Sequence, residues 1–165
     1  MNEQSKNIYM IGIGGMGMAP LALYLQSGGH KISGYDDNIS NPISNLLMNN
    51  DISIESEPEI SKDIDTVIYS SAINEAHPCY RVAIERGLPI LKRGVMLAHA
   101  VADKKLIAIV GSHGKTTTSG MLIAALEKEG FKFSYILGAL FNGNYYLPAK
   151  FDGGSEWIIA EIDHS

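Results

Sequence analysis

The sequence predicts an α/β protein: a Rossmann-like parallel-sheet domain followed by the start of a P-loop-type α/β domain. Three observations carry this. Short apolar runs alternate with longer amphipathic ones, the pattern of βαβ units. A glycine turn, "IGIGGMG" at residues 11–17, joins a strand-like run to a helix-like one. A second turn, "GSHGKTT" at residues 111–117, does the same.

In order, "NIYMIGI" reads as a first strand and "GMAPLALYLQSGG" as a helix stopped by Gly28 and Gly29. "HKISGYD" is a second strand that ends in acids, and "NPISNLLMNN" a helix with Pro42 in its first turn. "ISI" is a weak strand and "IDTVIYSSA" a stronger one. "PCYRVAIERG" is a helix bounded by Pro78 and Gly87, "LPILK" a short strand and "GVMLAHAVA" a helix. The polar residues 103–105 then divide a first domain, 1–102, from a second, 103–165. In the second, "KLIAIV" is a strand, "TTTSGMLIAALEKEG" a helix, "KFSYILGA" a strand and "WIIAEID" a final strand. Residues 140–156, rich in Gly, Asn and Tyr, read as irregular. A unit of this size buries its core poorly. The final strand is apolar on both faces, so it is expected to stand partly uncovered, with self-association as a consequence.

Composition excludes several classes. Of 165 residues, 45% are apolar and 19% charged, enough for a packed core. The net charge of −5, with no basic block, argues against nucleic acid as a partner. Cys79 is the single cysteine, which rules out a disulfide framework and a cysteine-rich zinc site and suits a reducing cytoplasm. No apolar run reaches the roughly 18 residues of a membrane span, so no membrane partner is expected and the chain reads as cytoplasmic.

Gly12, Gly14 and Gly17 form G-x-G-x-x-G between a strand and a helix, a setting in which backbone N–H groups and a helix N-terminus meet a diphosphate. Asp36 follows at the end of the next strand, where a dinucleotide enzyme would hold a ribose hydroxyl. NAD is the default ligand of this pattern, but another diphosphate-containing nucleotide satisfies it equally. Glycines that only let a helix pack on a strand are the plainer alternative. Gly111, Gly114, Lys115 and Thr116 form a shortened P-loop, with Ile109 where the common pattern has its first glycine. Lys115 can reach β- and γ-phosphates of ATP, and the Thr116 hydroxyl can sit on Mg²⁺. Magnesium usually needs a carboxylate too, and Glu161 lies at the end of a strand that opens on the same rim.

Together, "IGIGGMGM", "SGYD", "SSAI", "LKRGVMLA" and "GSHGKTTT" resemble the Mur ligase family, in the family's order and from residue 7 to 165. The likeness is strongest to the members that join L-alanine to UDP-N-acetylmuramate. The resemblance implies that Gly12, Gly14, Gly15, Met16 and Gly17 hold the UDP diphosphate. Asp36, Ser70, Ser71 and Ala72 would line the uridine side. Gly111, Ser112, His113, Gly114, Lys115, Thr116 and Thr117 would hold ATP, with Lys115 and His113 catalytic and Thr116 and Glu161 on the metal. It further implies an acyl phosphate, made by the lactyl carboxylate and consumed by the amine of alanine. Two departures stand out: Ser112 replaces the family's threonine, and His164 replaces the second glutamate of its E-A-D-E-S stretch. Family members also carry a complete central domain and a third that binds the amino acid, so these 165 residues alone are expected to form no amide bond. A non-catalytic UDP-sugar module, the ligase that recycles murein peptide, and an NAD-dependent oxidoreductase are the competing readings.

Overall fold

The computed structural model describes residues 5–139 and 147–162. Two sheets form. The first, in the order β3-β2-β1-β4-β5, is parallel throughout and comprises β1 (Asn7–Ile11), β2 (Lys31–Tyr35), β3 (Ser53–Glu55), β4 (Thr66–Tyr69) and β5 (Ile90–Lys92). Helices α1 (Met18–Ser27), α2 (Pro42–Met48), α3 (Pro78–Glu85) and α4 (Arg93–Val101) connect or follow these strands. The chain runs outward from β1 to β3, then returns to β4 on the other side of β1. The reversal creates a switch point at the C-terminal ends of β1 and β4, where open α/β sheets bind ligands.

Local chemistry sets the helix starts. Asn41 caps α2, its side chain accepting from the Ser44 N–H at 2.8 Å ahead of Pro42. His77 caps α3, its Nδ1 accepting from the Cys79 N–H at 3.2 Å. Gly34 lets β2 lie close to β1, since a Cβ there would stand 2.3 Å from the Met10 carbonyl oxygen.

The second sheet has the order β6-β9-β7-β8: β6 (Lys105–Val110), β7 (Ser134–Ile136), β8 (Ala149–Lys150) and β9 (Trp157–Ile162), with α5 (Lys115–Lys128) after β6. β6, β9 and β7 are parallel, and β8 pairs antiparallel with β7. β8 lies in the stretch read as irregular; two residues of ladder give too little periodicity to detect.

The packing of this sheet corrects one expectation. β9 is not left open: it is hydrogen-bonded on both sides, to β6 and to β7. Its Ile159 packs with Ile123, Phe133 and Tyr135 beneath α5, and its Ile158 joins the cluster around α1. The edges of this sheet among the described residues are β6, where Leu106 and Val110 are exposed, and the two-residue β8. The small second unit does not close its core alone. Eight successive residues of α1, Met18 to Leu25, are buried. A helix apolar all round needs cover on every face. The first sheet covers one side, and Ile136, Ala149 and Ile158 of the second sheet cover another. Tyr24 meets the Phe151 ring edge-on at 5.4 Å.

Candidate functional site

The first glycine turn leaves the end of β1. Gly12 has φ +77, a conformation that favours glycine, and directs both its own N–H and that of Ile13 to the Tyr35 carbonyl at 2.8 and 3.2 Å. The Gly14 N–H donates to Asp36 Oδ2 at 2.8 Å, and a Cβ on Gly14 would stand 3.0 Å from that oxygen. Asp36 Oδ1 accepts from the Asn38 N–H at 3.0 Å. Both carboxylate oxygens are therefore engaged by backbone on either side of the loop. The neighbouring Asp37 accepts from the Tyr35 hydroxyl, a bond that pushes the phenol up to about 12. Gly15 accepts from the Met18 and Ala19 N–H groups as α1 begins, Met16 is exposed, and Gly17 closes the turn.

Ser70, Ser71 and Ala72 follow β4, on the other side of the same turn. A Cβ on Gly12 would lie 3.2 Å from the Ser70 Cβ. The Ser70 hydroxyl accepts from the Ala72 N–H, while Ser71 and Ala72 are exposed. Residues 12–17, Asp36 and 70–72 thus border one rim, at the switch point.

The second turn leaves β6. Gly111 and Gly114 have φ +150 and +74, and Gly114 is the N-cap of α5. Left-handed backbone at that position aims the first N–H groups of α5 into the turn. Ser112 and His113 are exposed between the two glycines, and Thr117 is exposed in the first turn of the helix. Lys115 Nζ reaches back to the Gly111 carbonyl at 2.8 Å, spanning the turn. Glu161 pairs with Ile109 in the β6–β9 ladder, which sets its carboxylate beside the turn. Its Oε2 accepts from Thr116 Oγ1 at 3.3 Å and from the Gly138 N–H at 2.9 Å. Glu161 is 7% exposed, and its Oε1 is buried without a hydrogen-bond partner.

That orphaned oxygen is the test of a metal site. A buried carboxylate oxygen with no donor is costly unless a cation meets it. Among the described residues no cluster of three His, Cys, Asp or Glu could hold a metal alone. One carboxylate and one hydroxyl suit Mg²⁺, which keeps waters and takes phosphate oxygens as its other ligands. Asp163 and His164 lie outside the described residues.

A small cavity touches the first turn at Gly17 and the second turn's partner, Glu161. Gly17, Leu21, Arg93 and Leu97 form one wall; Ile136, Leu137, Gly138 and Glu161 form the other. Sequence reading placed Gly17 and Glu161 at sites but missed Arg93 and Gly138. Arg93 opens α4, and its guanidinium lies against Gly17: a Cβ on that glycine would come within 3.1 Å of the Arg93 Cζ. The signal available was "LKRGVMLA", where an arginine directly follows a strand that ends at this rim.

The model of the Mur ligase family, catalytic domain, matches residues 7–105. A UDP-N-acetylmuramate–L-alanine ligase from Syntrophomonas wolfei is 38% identical over 97% of this chain and 34% of its own length. The Lawsonia intracellularis ligase of the same name is 36% identical over 100% and 36%. The chain thus spans about a third of the length of the curated relatives it matches. Among solved structures, a murein peptide ligase from Psychrobacter arcticus gives a TM-score of 0.82 at 25% identity, covering 96% of this chain and 38% of its own. The UDP-N-acetylmuramate–alanine ligase from Thermotoga maritima gives 0.83 at 24% identity over 94% and 36%, a likeness of fold. A family match across more than half of the sequence makes this chain a member of the Mur ligase family.

Proposed function

We propose that these residues form the nucleotide-handling part of an ATP-dependent ligase that joins L-alanine to UDP-N-acetylmuramate in the cytoplasm, for peptidoglycan synthesis. The observation that carries the reading is the buried Glu161 carboxylate, which accepts from Thr116 of the second turn and lines one cavity with Gly17 of the first. In this reading residues 1–102 bind the UDP-sugar. Gly12, Gly14, Gly15, Met16 and Gly17 approach the diphosphate, and Ser70, Ser71 and Ala72 border the uridine. Asp36 acts through the loop it organises, because its oxygens already accept from Gly14 and Asn38. That use of Asp36 counts against NAD, whose ribose would need the same carboxylate.

Residues 103–165 begin the ATP-binding domain. Gly111 to Thr117 surround the phosphates, Lys115 neutralises the transferring phosphoryl group, and His113 faces the sugar acid. Thr116 and Glu161 would hold Mg²⁺, which supplies charge to offset that of the phosphates. The substrate carboxylate oxygen attacks the γ-phosphorus, breaking its bond to ADP and giving an acyl phosphate. The amine of alanine then attacks the acyl carbon, phosphate leaves, and the nitrogen loses a proton. Two turns linked through Glu161 serve this chemistry by proximity: both phosphate-bearing substrates must meet in line before transfer. The likeness to murein peptide ligases keeps a peptide in place of alanine as the second reading. Offering both amines to the active protein separates the two.

Calorimetry tests the assignment. UDP-N-acetylmuramate is expected to bind and NAD is not. Gly17→Val, whose side chain must displace the Arg93 guanidinium, is expected to weaken the sugar nucleotide strongly without unfolding the chain. Lys115→Ala is expected to weaken Mg-ATP by about tenfold to a hundredfold, the range for losing a charged hydrogen-bond donor. NAD binding at the first turn, or equal ATP binding with and without Lys115, sinks the reading.

A further inference from the structure

We infer that Arg93 is a ligand-binding arginine of the first turn, and that it takes an oxygen of the diphosphate of a uridine nucleotide lying over Gly14 to Gly17. The inference rests on the UDP-sugar reading above and adds to it a residue from the far end of the sheet.

Arg93 is the first residue of α4, immediately after β5, with four strands of sequence between it and the glycine turn, yet in contact with it. The guanidinium lies flat enough on Gly17 that a Cβ would meet Cζ and Nη1 at 3.1 Å and Nε at 3.2 Å. A side chain at residue 17 would push the guanidinium away, so the third glycine of the turn has a second role besides close approach of a ligand. Gly17 is also the N-cap of α1 and has no side-chain cap, so the positive end of a ten-residue helix and a fixed cation converge on one point. Arg93 is half-buried and makes no ion pair or hydrogen bond with the described residues. A planar fork of donors held without an acceptor suits an oxyanion that can accept two parallel hydrogen bonds, such as a phosphate.

Glu161 is the independent observation. It lines the same cavity, is more than nine-tenths buried, and holds Oε1 without a partner. The two opposite charges face one cavity but do not pair within 4 Å. An arginine and a buried carboxylate that do not pair are each left to a ligand charge: a cation for Glu161 and an anion for Arg93. The anion is the diphosphate on the first turn rather than a group on ATP, because the guanidinium touches Gly17 and stands on the first-sheet wall, whereas Lys115 serves the other turn. The cavity between the walls is about 10 Å³, the room of one water, so the diphosphate lies outside it, beside Arg93 and Gly17 on the first wall.

The test compares UDP, uridine and UDP-N-acetylmuramate by calorimetry on the unsubstituted chain, Arg93→Met and Arg93→Lys, with circular dichroism melts as the check on folding. Arg93→Met is expected to weaken UDP by about tenfold to a hundredfold while leaving uridine unchanged. Arg93→Lys, which keeps charge but loses the fork, is expected to fall between. Unchanged UDP affinity in Arg93→Met overturns the inference and leaves the UDP-sugar reading standing. An equal loss for UDP and uridine also overturns it, since that is the mark of a collapsed turn. So does a loss confined to UDP-N-acetylmuramate, which would put the arginine on the sugar's carboxylate. If the unsubstituted chain binds neither UDP nor UDP-N-acetylmuramate, the inference and the reading beneath it fall together.

Discussion

Glu161 Oε2 accepts from Thr116 and Gly138 while Oε1 has no donor, so one carboxylate both ties β9 to its surroundings and presents a buried negative charge. The two roles separate in Glu161→Gln. The amide oxygen still accepts from the Gly138 N–H, so the fold is expected to hold, with an unchanged melting temperature to within a few degrees. The charge is gone, so the gain in ATP affinity on adding Mg²⁺ is expected to shrink by about tenfold or more. Titrations of ATP with Mg²⁺ and with a chelator check this, and an equal magnesium effect in both proteins would remove Glu161 from the metal. At this scale the sequence was readable where residue type and spacing both constrain chemistry. Glycines at 12, 14, 17, 111 and 114 sit at turns, and Glu161 faces Thr116 because strand register places it there. Asp36 was legible as a strand-end acid, but its partner, a backbone N–H in another loop, was not. Arg93 had a local signal, an arginine directly after a strand end, but its partner Gly17 lies 76 positions away, a contact no local pattern encodes.

Element order was legible because each helix announces its ends: Pro42 and Pro78 at the starts, Gly87 and Gly130 just past the stops. Strand order in the second sheet was not, since β9 is last in sequence yet inserts between β6 and β7. The packing of β1 on α3 carries a testable consequence of its own. Tyr9 is fully buried on β1, with its hydroxyl 3.8 Å from the Cys79 sulfur of α3. Burial, then the proximity of Cys79, holds the phenol far above its ordinary 10.0, and burial raises the Cys79 thiol as well. A folded-state pKa above the unfolded value means that the neutral group belongs to the native state. Its stabilising contribution is complete below pH 10 and is lost as the pH rises beyond it. Tyr9→Phe, which cannot ionise, is expected to be slightly less stable near pH 8, from the lost hydroxyl contact, and to lose stability more slowly above pH 10. Urea melts of both proteins between pH 8 and 11 check this; parallel decline would show that Tyr9 ionisation is not linked to unfolding.

Across the whole molecule, α1 is the joint. Its apolar run "MAPLALYL" was readable as a helix, but the absence of a polar face was the unread sign that something besides the first sheet must cover it. The second sheet supplies that cover through Ile136, Ala149 and Ile158, so the two sheets share one apolar cluster. Shared burial makes their unfolding one event rather than two. Trp157, the single tryptophan, stands on β9 in the second sheet, beside Lys105, and reports that sheet alone. Uridine nucleotides, if they bind at the first turn, touch only the first sheet. At a hundred times its dissociation constant, UDP is expected to stabilise the native state by about 2.7 kcal/mol. Because α1 begins at Gly17 and is packed against both sheets, that stabilisation is expected to move the Trp157 fluorescence transition as far as the backbone transition seen by circular dichroism. Leu21→Ala, which opens a void in the shared cluster at a cost of about 2–5 kcal/mol, is expected to lower both midpoints together. A Trp157 transition that ignores UDP, or that separates from the backbone transition in Leu21→Ala, would mean that the second sheet folds on its own account and that α1 merely rests against it.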